Sequence, residues 1–159
     1  ALPAGTEPLL VGHSLGAGLA VLVAADRETE QRWGPRVLGL SAPPYDTVLR
    51  SRVRREPGEL DQRKLAVIYN AFDPLYRKGN STKGNAGAAI CTFAPTEPAA
   101  CVQCYAVDGK ERSPECDECF AKTHIAKIYL DDLNGTVEKP PPFRPQCQRH
   151  HASSGPILV

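Results

Sequence analysis

Apolar residues fall in short blocks separated by turn-forming residues. Leu9-Leu10-Val11 comes first, and Leu19-Ala20-Val21-Leu22-Val23-Ala24-Ala25 follows after a small-residue turn. A short apolar run bounded by turn signals reads as a fully buried strand, and a longer one as a buried helix. The pattern predicts a strand over 9–11 and one helix from Leu15 to about Gln31, stopped by Trp33-Gly34-Pro35. Arg36-Val37-Leu38-Gly39-Leu40-Ser41 reads as a second buried strand, and Lys64-Leu65-Ala66-Val67-Ile68-Tyr69-Asn70 as a third. Strand, helix, strand in this order implies a parallel pair, and therefore an α/β protein with a mostly parallel sheet. Between them, Thr47 to Arg63 is charged and mixed. Its Arg50, Arg52, Arg54 and Arg55 read as a solvated helix face in preference to a patch for anionic lipid.

The pattern weakens after Arg77. Residues 78–121 are rich in Gly, Ala, Pro and Cys without a long periodic segment, and read as a loop-rich excursion with a Cys-rich insertion over 85–121. Apolar spacing returns in Thr123-His124-Ile125-Ala126-Lys127-Ile128-Tyr129-Leu130, where Ile125, Ile128 and Tyr129 recur at helical intervals. Residues 1–135 are taken as the folded part, and the Pro-rich tail 136–159 is expected to be extended or disordered.

Candidate chemistry sits where the first strand meets its helix. Gly12-His13-Ser14-Leu15-Gly16 is Gly-x-Ser-x-Gly placed between strand and helix, the sequence form of a nucleophile elbow. Such a turn is strained, and Gly12 and Gly16 are expected wherever strand and helix pass too close for a Cβ. Ser14 would be the nucleophile. The N–H of Leu15, first in the helix, would be one oxyanion donor. A hydroxyl nucleophile needs a base to take its proton and an acid to hold the base. In α/β hydrolases these follow in the order Ser, Asp, His. Ser14, Asp73 and His124 offer that order, with Asp73 just past the third strand and His124 at the start of the returning helix. Asp73-Pro74 could equally be a turn cap. His13 lies inside the elbow, with its ring expected to point away from the Ser14 hydroxyl. His150 and His151 follow the Pro-rich tail and read as solvated.

At four landmarks the chain resembles the fungal-type triacylglycerol lipases, the lipase class 3 family. Gly12-His13-Ser14-Leu15-Gly16-Ala17 resembles the family's elbow, and Val37-Leu38-Gly39-Leu40-Ser41-Ala42-Pro43 the strand that follows it. Val67-Ile68-Tyr69-Asn70-Ala71-Phe72-Asp73-Pro74-Leu75-Tyr76-Arg77 resembles the strand bearing the acid, and Thr123-His124-Ile125-Ala126-Lys127-Ile128-Tyr129-Leu130 the histidine segment. Cysteine-bearing vacuolar lipases of fungi are a looser relative. The resemblance implies a partial α/β-hydrolase, a lipid ester such as an acylglycerol as substrate, and transient contact with a lipid interface. The family places a further strand between acid and histidine, where this chain is Cys-rich. Only thirteen residues precede Ser14, too few for the strands that normally lead to an elbow. The chain therefore reads as the C-terminal part of a longer hydrolase or as a truncated gene model. Little or no turnover is expected if nothing precedes it, because a second oxyanion donor would be missing.

Composition adds limits. The 159 residues carry a net charge of +1, which gives no pull toward nucleic acid. No apolar run reaches the roughly 20 residues of a membrane span. All six cysteines lie beyond residue 90. Cys101-x-x-Cys104 and Cys116-x-x-Cys119 could hold a tetrahedral zinc or form disulfides. Disulfides are favoured, since relatives of the resembled family are often secreted; zinc is the lesser alternative, and no other cofactor is expected. Two sequons, Asn80-Ser81-Thr82 and Asn134-Gly135-Thr136, agree with a secretory or vacuolar route over a cytoplasmic one. The competing function is a catalytically weak hydrolase-fold fragment that serves as a binding module with a stapled insert. A CxxC redox protein is disfavoured, because neither CxxC is expected to begin a helix after a strand.

Overall fold

A computed structural model describes residues 3, 6–77, 87–106, 114–134 and 144–149; the side chains of 103–106, 148 and 149 lie outside that description. Five strands form one mixed sheet in the order β1-β2-β3-β4-β5. β1 (Leu9–His13), β2 (Arg36–Leu40), β3 (Leu65–Asn70) and β4 (Ala89–Phe93) run parallel, and β5 (Gln146–Arg149) pairs antiparallel with β4. The expected α/β class with a mostly parallel sheet is what forms.

The long helix expected over 15–31 is two. α1 (Leu15–Ala25) stops at Asp26, whose extended backbone (φ −63°, ψ 130°) breaks the helical path. Its carboxylate Oδ1 then accepts from Thr29 N at 2.9 Å and caps α2 (Arg27–Trp33). Gly34, left-handed at φ 51°, closes α2 by donating its N–H to Glu30 O. After β2 comes α3 (Asp46–Val48), continued by a wide helical turn over Leu49–Val53. Arg55 departs from the solvated face expected of the arginine run. It is 7% exposed and donates to Ala25 O, Glu30 Oε2 and Glu59 O. The guanidinium can enter the interior because three oxygens meet its fork.

The core lies between α1 and the sheet, built from Ala17 and Val21 of α1, Val37, Leu65 and Val67 of the strands, and Tyr45 and Leu49 beyond β2. Gly12 lets α1 come this close. A Cβ there would stand 2.3 Å from Gly16 O. Gly16 itself has nothing within 4 Å of a Cβ position, so the steric need expected of both glycines applies to Gly12 alone. β1 and α1 are also less covered than their apolar runs implied. Leu9 and Val11 are 59% and 58% exposed, as are Leu15, Leu19 and Val23 along one helical row to similar degree. Among the described residues β1 is an edge strand, and one face of each element packs while the other does not.

The stretch read as a loop-rich insertion holds three regular elements: β4, α5 (Ala99–Ala106) and α6 (Pro114–Thr123). A short α4 (Pro74–Arg77) precedes them, and α7 (Ala126–Leu133) follows. Five residues of β4 and two short cysteine-bearing helices are too brief for periodicity to stand out. Disulfides hold them. Cys101–Cys119 joins α5 to α6, Cys91–Cys147 joins β4 to β5, and Cys116 is disulfide-bonded as well. The bond between Cys101 and Cys119 overturns the four-thiolate zinc alternative, since two of its ligands are spent; the Cys104 side chain lies outside the described residues. Among the described residues no group of His, Cys, Asp or Glu is arranged to hold a metal. Of the tail expected to be extended or disordered from 136, the described residues contribute β5, an extended edge strand too polar to announce itself. His150 and His151, and Asn80 of the first sequon, lie outside the described residues.

Candidate active site

Ser14 occupies the turn between β1 and α1 with φ 53° and ψ −126°, a conformation that L residues rarely adopt. Its N–H donates to Leu40 O at 2.9 Å, which ties the turn to the end of β2. Its carbonyl accepts from Ala17 N and Gly18 N and so begins the helix. The first N–H groups of α1, Leu15 among them, have no acceptor within the helix.

Asp73 lies three residues past β3 and is fully buried. The two oxygens of this aspartate face different partners. Oδ1 accepts from Leu75 N at 2.8 Å and caps the turn into α4. Oδ2 faces inward, to His124 Nδ1 at 2.9 Å and to the Tyr129 hydroxyl at 2.9 Å. His124 sits at the break between α6 and α7, 4% exposed, with its N–H donating to Phe120 O. Its other ring nitrogen, Nε2, lies 3.0 Å from Ser14 Oγ. Ser14, His124 and Asp73, separated by 110 and 51 residues, thus meet as hydroxyl, imidazole and carboxylate in hydrogen-bonding order.

Several contributors lay outside the sequence reading. Ser41, at the end of β2, donates its hydroxyl to Asp73 Oδ2 and stands 2.9 Å from His124 Nδ1. Tyr129 accepts from Asn70 N at 3.0 Å, so its single proton is left for Asp73. Burial, with the Asp73 carboxylate adding to it, pushes the Tyr129 phenol far above its usual range and keeps it a donor. The Phe120 ring packs on the His124 ring with centroids 4.1 Å apart. His13 does turn from the Ser14 hydroxyl, and its Nε2–H donates to the backbone oxygen of His124, pinning the elbow to the histidine segment. Helical spacing alone does not single out Tyr129, because Ile125 on the same row is exposed. Ser41 falls within the second apolar run, but no chemistry there marks its hydroxyl.

The disulfide between α5 and α6 borders this site. Cys101 and Cys119 are fully buried, and Phe72, next to Asp73, packs against them. Thr123 Oγ1 donates to Cys119 O at 2.7 Å, fastening the last turn of α6 just before His124. Comparison of the chain with protein-family models, with curated proteins and with solved structures finds no match.

Proposed function

We infer that the protein is a carboxylic ester hydrolase of α/β-hydrolase type acting on lipid esters through Ser14, His124 and Asp73. The observation that carries this reading is the unbroken series from Ser14 Oγ to His124 Nε2 at 3.0 Å and from His124 Nδ1 to Asp73 Oδ2 at 2.9 Å. In this mechanism Ser14 Oγ attacks the ester carbonyl carbon while Nε2 takes its proton. The tetrahedral oxyanion accepts from the Leu15 N–H. Collapse expels the alcohol, which receives the proton from Nε2 and leaves an acyl group on Ser14. Water, deprotonated by the same nitrogen, then releases the carboxylic acid. Asp73 orients the ring and stabilises the imidazolium.

A lipid substrate is favoured by what flanks the reacting groups. Leu15, after the nucleophile, is 68% exposed, and Ile125, after the base, is 42% exposed. Apolar side chains left in water on both sides of a hydrolytic centre suit an acyl chain or a lipid interface better than a polar ester. No described helix is long and apolar enough to cross a membrane. The disulfides support a secreted or luminal setting, where such bonds persist.

A fluorophosphonate probe tests the reading, because it captures only a base-activated serine. Labelling of the chain that disappears in Ser14→Ala and in His124→Ala is the expected result. A chain that takes no label would instead be a non-catalytic module built on the same scaffold.

A further inference from the structure

The geometry points to Ser41 as a positioning residue of this centre: its hydroxyl fixes the Asp73 carboxylate and shares the Nδ1 proton of His124. The inference rests on the hydrolase reading for its consequence in rate, though not for its geometry.

The backbone supplies the first argument. Ser41 is fully buried at φ 52°, in the left-handed region. A residue with a Cβ is strained there, and glycine is not. Its N–H donates to Ile68 O at 2.8 Å, so the turn itself is held by the main chain and does not need the side chain. A serine at such a place gives up stability that a glycine would keep. Strain of this kind gathers where a side chain is needed for function.

Proton accounting supplies the second. The Ser41 hydroxyl has one hydrogen, donated to Asp73 Oδ2. Its lone pairs are then what His124 Nδ1 meets at 2.9 Å. Nδ1 also lies 2.9 Å from Oδ2. Two acceptors converge on one ring nitrogen, so that nitrogen carries the hydrogen. Nε2 is left with its lone pair toward Ser14 Oγ, 3.0 Å away. That is the tautomer a general base requires. Ser41 thus adds a second hold on the ring's protonation site, and with Tyr129 it fixes Oδ2 from two separate segments.

Ser41→Gly tests this on the 159-residue chain. The substitution relieves the backbone but takes one donor from the buried Asp73, two opposed effects that should leave the thermal midpoint little changed. The maximal rate of fluorophosphonate capture at Ser14 should nevertheless fall about tenfold to a hundredfold, with the probe's binding constant unmoved. A second readout does not depend on activity. The wild type should show a low-field imidazole N–H proton resonance that is lost in His124→Ala and displaced in Ser41→Gly. Capture at the wild-type rate with the resonance unmoved overturns the inference. So does a fall in rate that merely follows a fall in midpoint. A wild type that takes no label overturns the hydrolase reading; the resonance then decides the Ser41 contact alone, and its constancy in Ser41→Gly overturns that as well.

Discussion

The two halves of the molecule hold their parts of the site by different physics. From β1 to β3 the chain relies on apolar packing, main-chain ladders and one close helix–strand approach at Gly12, with no cysteine in it. From β4 to β5 the elements are short: β4 still pairs with β3 and packs Ile90 into the main core, while covalent bonds tie β5 to β4 and α5 to α6. The Ser14 hydroxyl comes from the first half and the His124 imidazole from the second. Asp73 stands at the junction and accepts hydrogen bonds from both, through Ser41 and through His124 and Tyr129. Placement of the serine is therefore a local matter of strand, turn and helix. Placement of the imidazole is a tertiary matter that depends on the stapled hairpin.

Breaking the staple gives the largest expected effect. Replacing Cys101 and Cys119 by Ala together removes a link across 18 residues, worth about 3 kcal/mol by loop entropy. Denaturant unfolding should record that loss. Hydrogen exchange should rise in α6 and α7 and stay low in β2 and β3; uniform acceleration would mean that the halves are not separable. The counterpart in the first half is Gly12→Ala, where overpacking against Gly16 O should cost roughly 1–3 kcal/mol. Gly16→Ala, with open space before it, should leave the denaturation midpoint unchanged or slightly higher. Equal losses from the two glycine variants would contradict the packing described.

Tyr129→Phe sharpens the comparison at the junction. It strands the buried Asn70 N–H and takes one donor from Asp73, for a loss of about 1–3 kcal/mol in a denaturation series. The smallest effect is expected at Asp26. The Thr29 N–H holds its carboxyl below the ordinary range. A depressed folded-state value means that the cap's contribution is present above the unfolded pKa and lost as pH falls through the folded one. Asp26→Ala should therefore narrow the gap to wild type as pH falls through and below the ordinary carboxylate range and keep it at neutral pH, as followed by thermal melts across pH. A gap that widens in acid would reverse the sign.

How much of this could be seen in the sequence follows from the same contrast. Parallel strands buried in an α/β sheet are continuous apolar runs, so β1, β2 and β3 were visible, and residues at their ends were natural candidates. Ser14 and Asp73 stand out in that way, whereas His124 stands out by chain order and its place at the start of the returning helix. Exposure of Leu9 and Val11 was not, because an apolar run says nothing about whether its outer face is covered. β4 was missed since Ala89-Ile90-Cys91-Thr92-Phe93 is short and lies among glycines, alanines and prolines. β5, Gln146-Cys147-Gln148-Arg149, has no apolar signal, and its place is set by a ladder and a bond to Cys91. Ser41 was invisible for another reason: its importance arises from a 2.9 Å approach to a residue 83 positions away.

The link between Cys91 and Cys147 closes the intervening polypeptide into a ring that contains His124. A protease that cuts once anywhere inside that ring opens a circle without releasing a fragment. The histidine-bearing segment stays tethered to the body at both ends of the wound, and a gel would show two pieces only after reductant is added. Nicking can therefore loosen the surroundings of the imidazole while the molecule remains a single covalent particle.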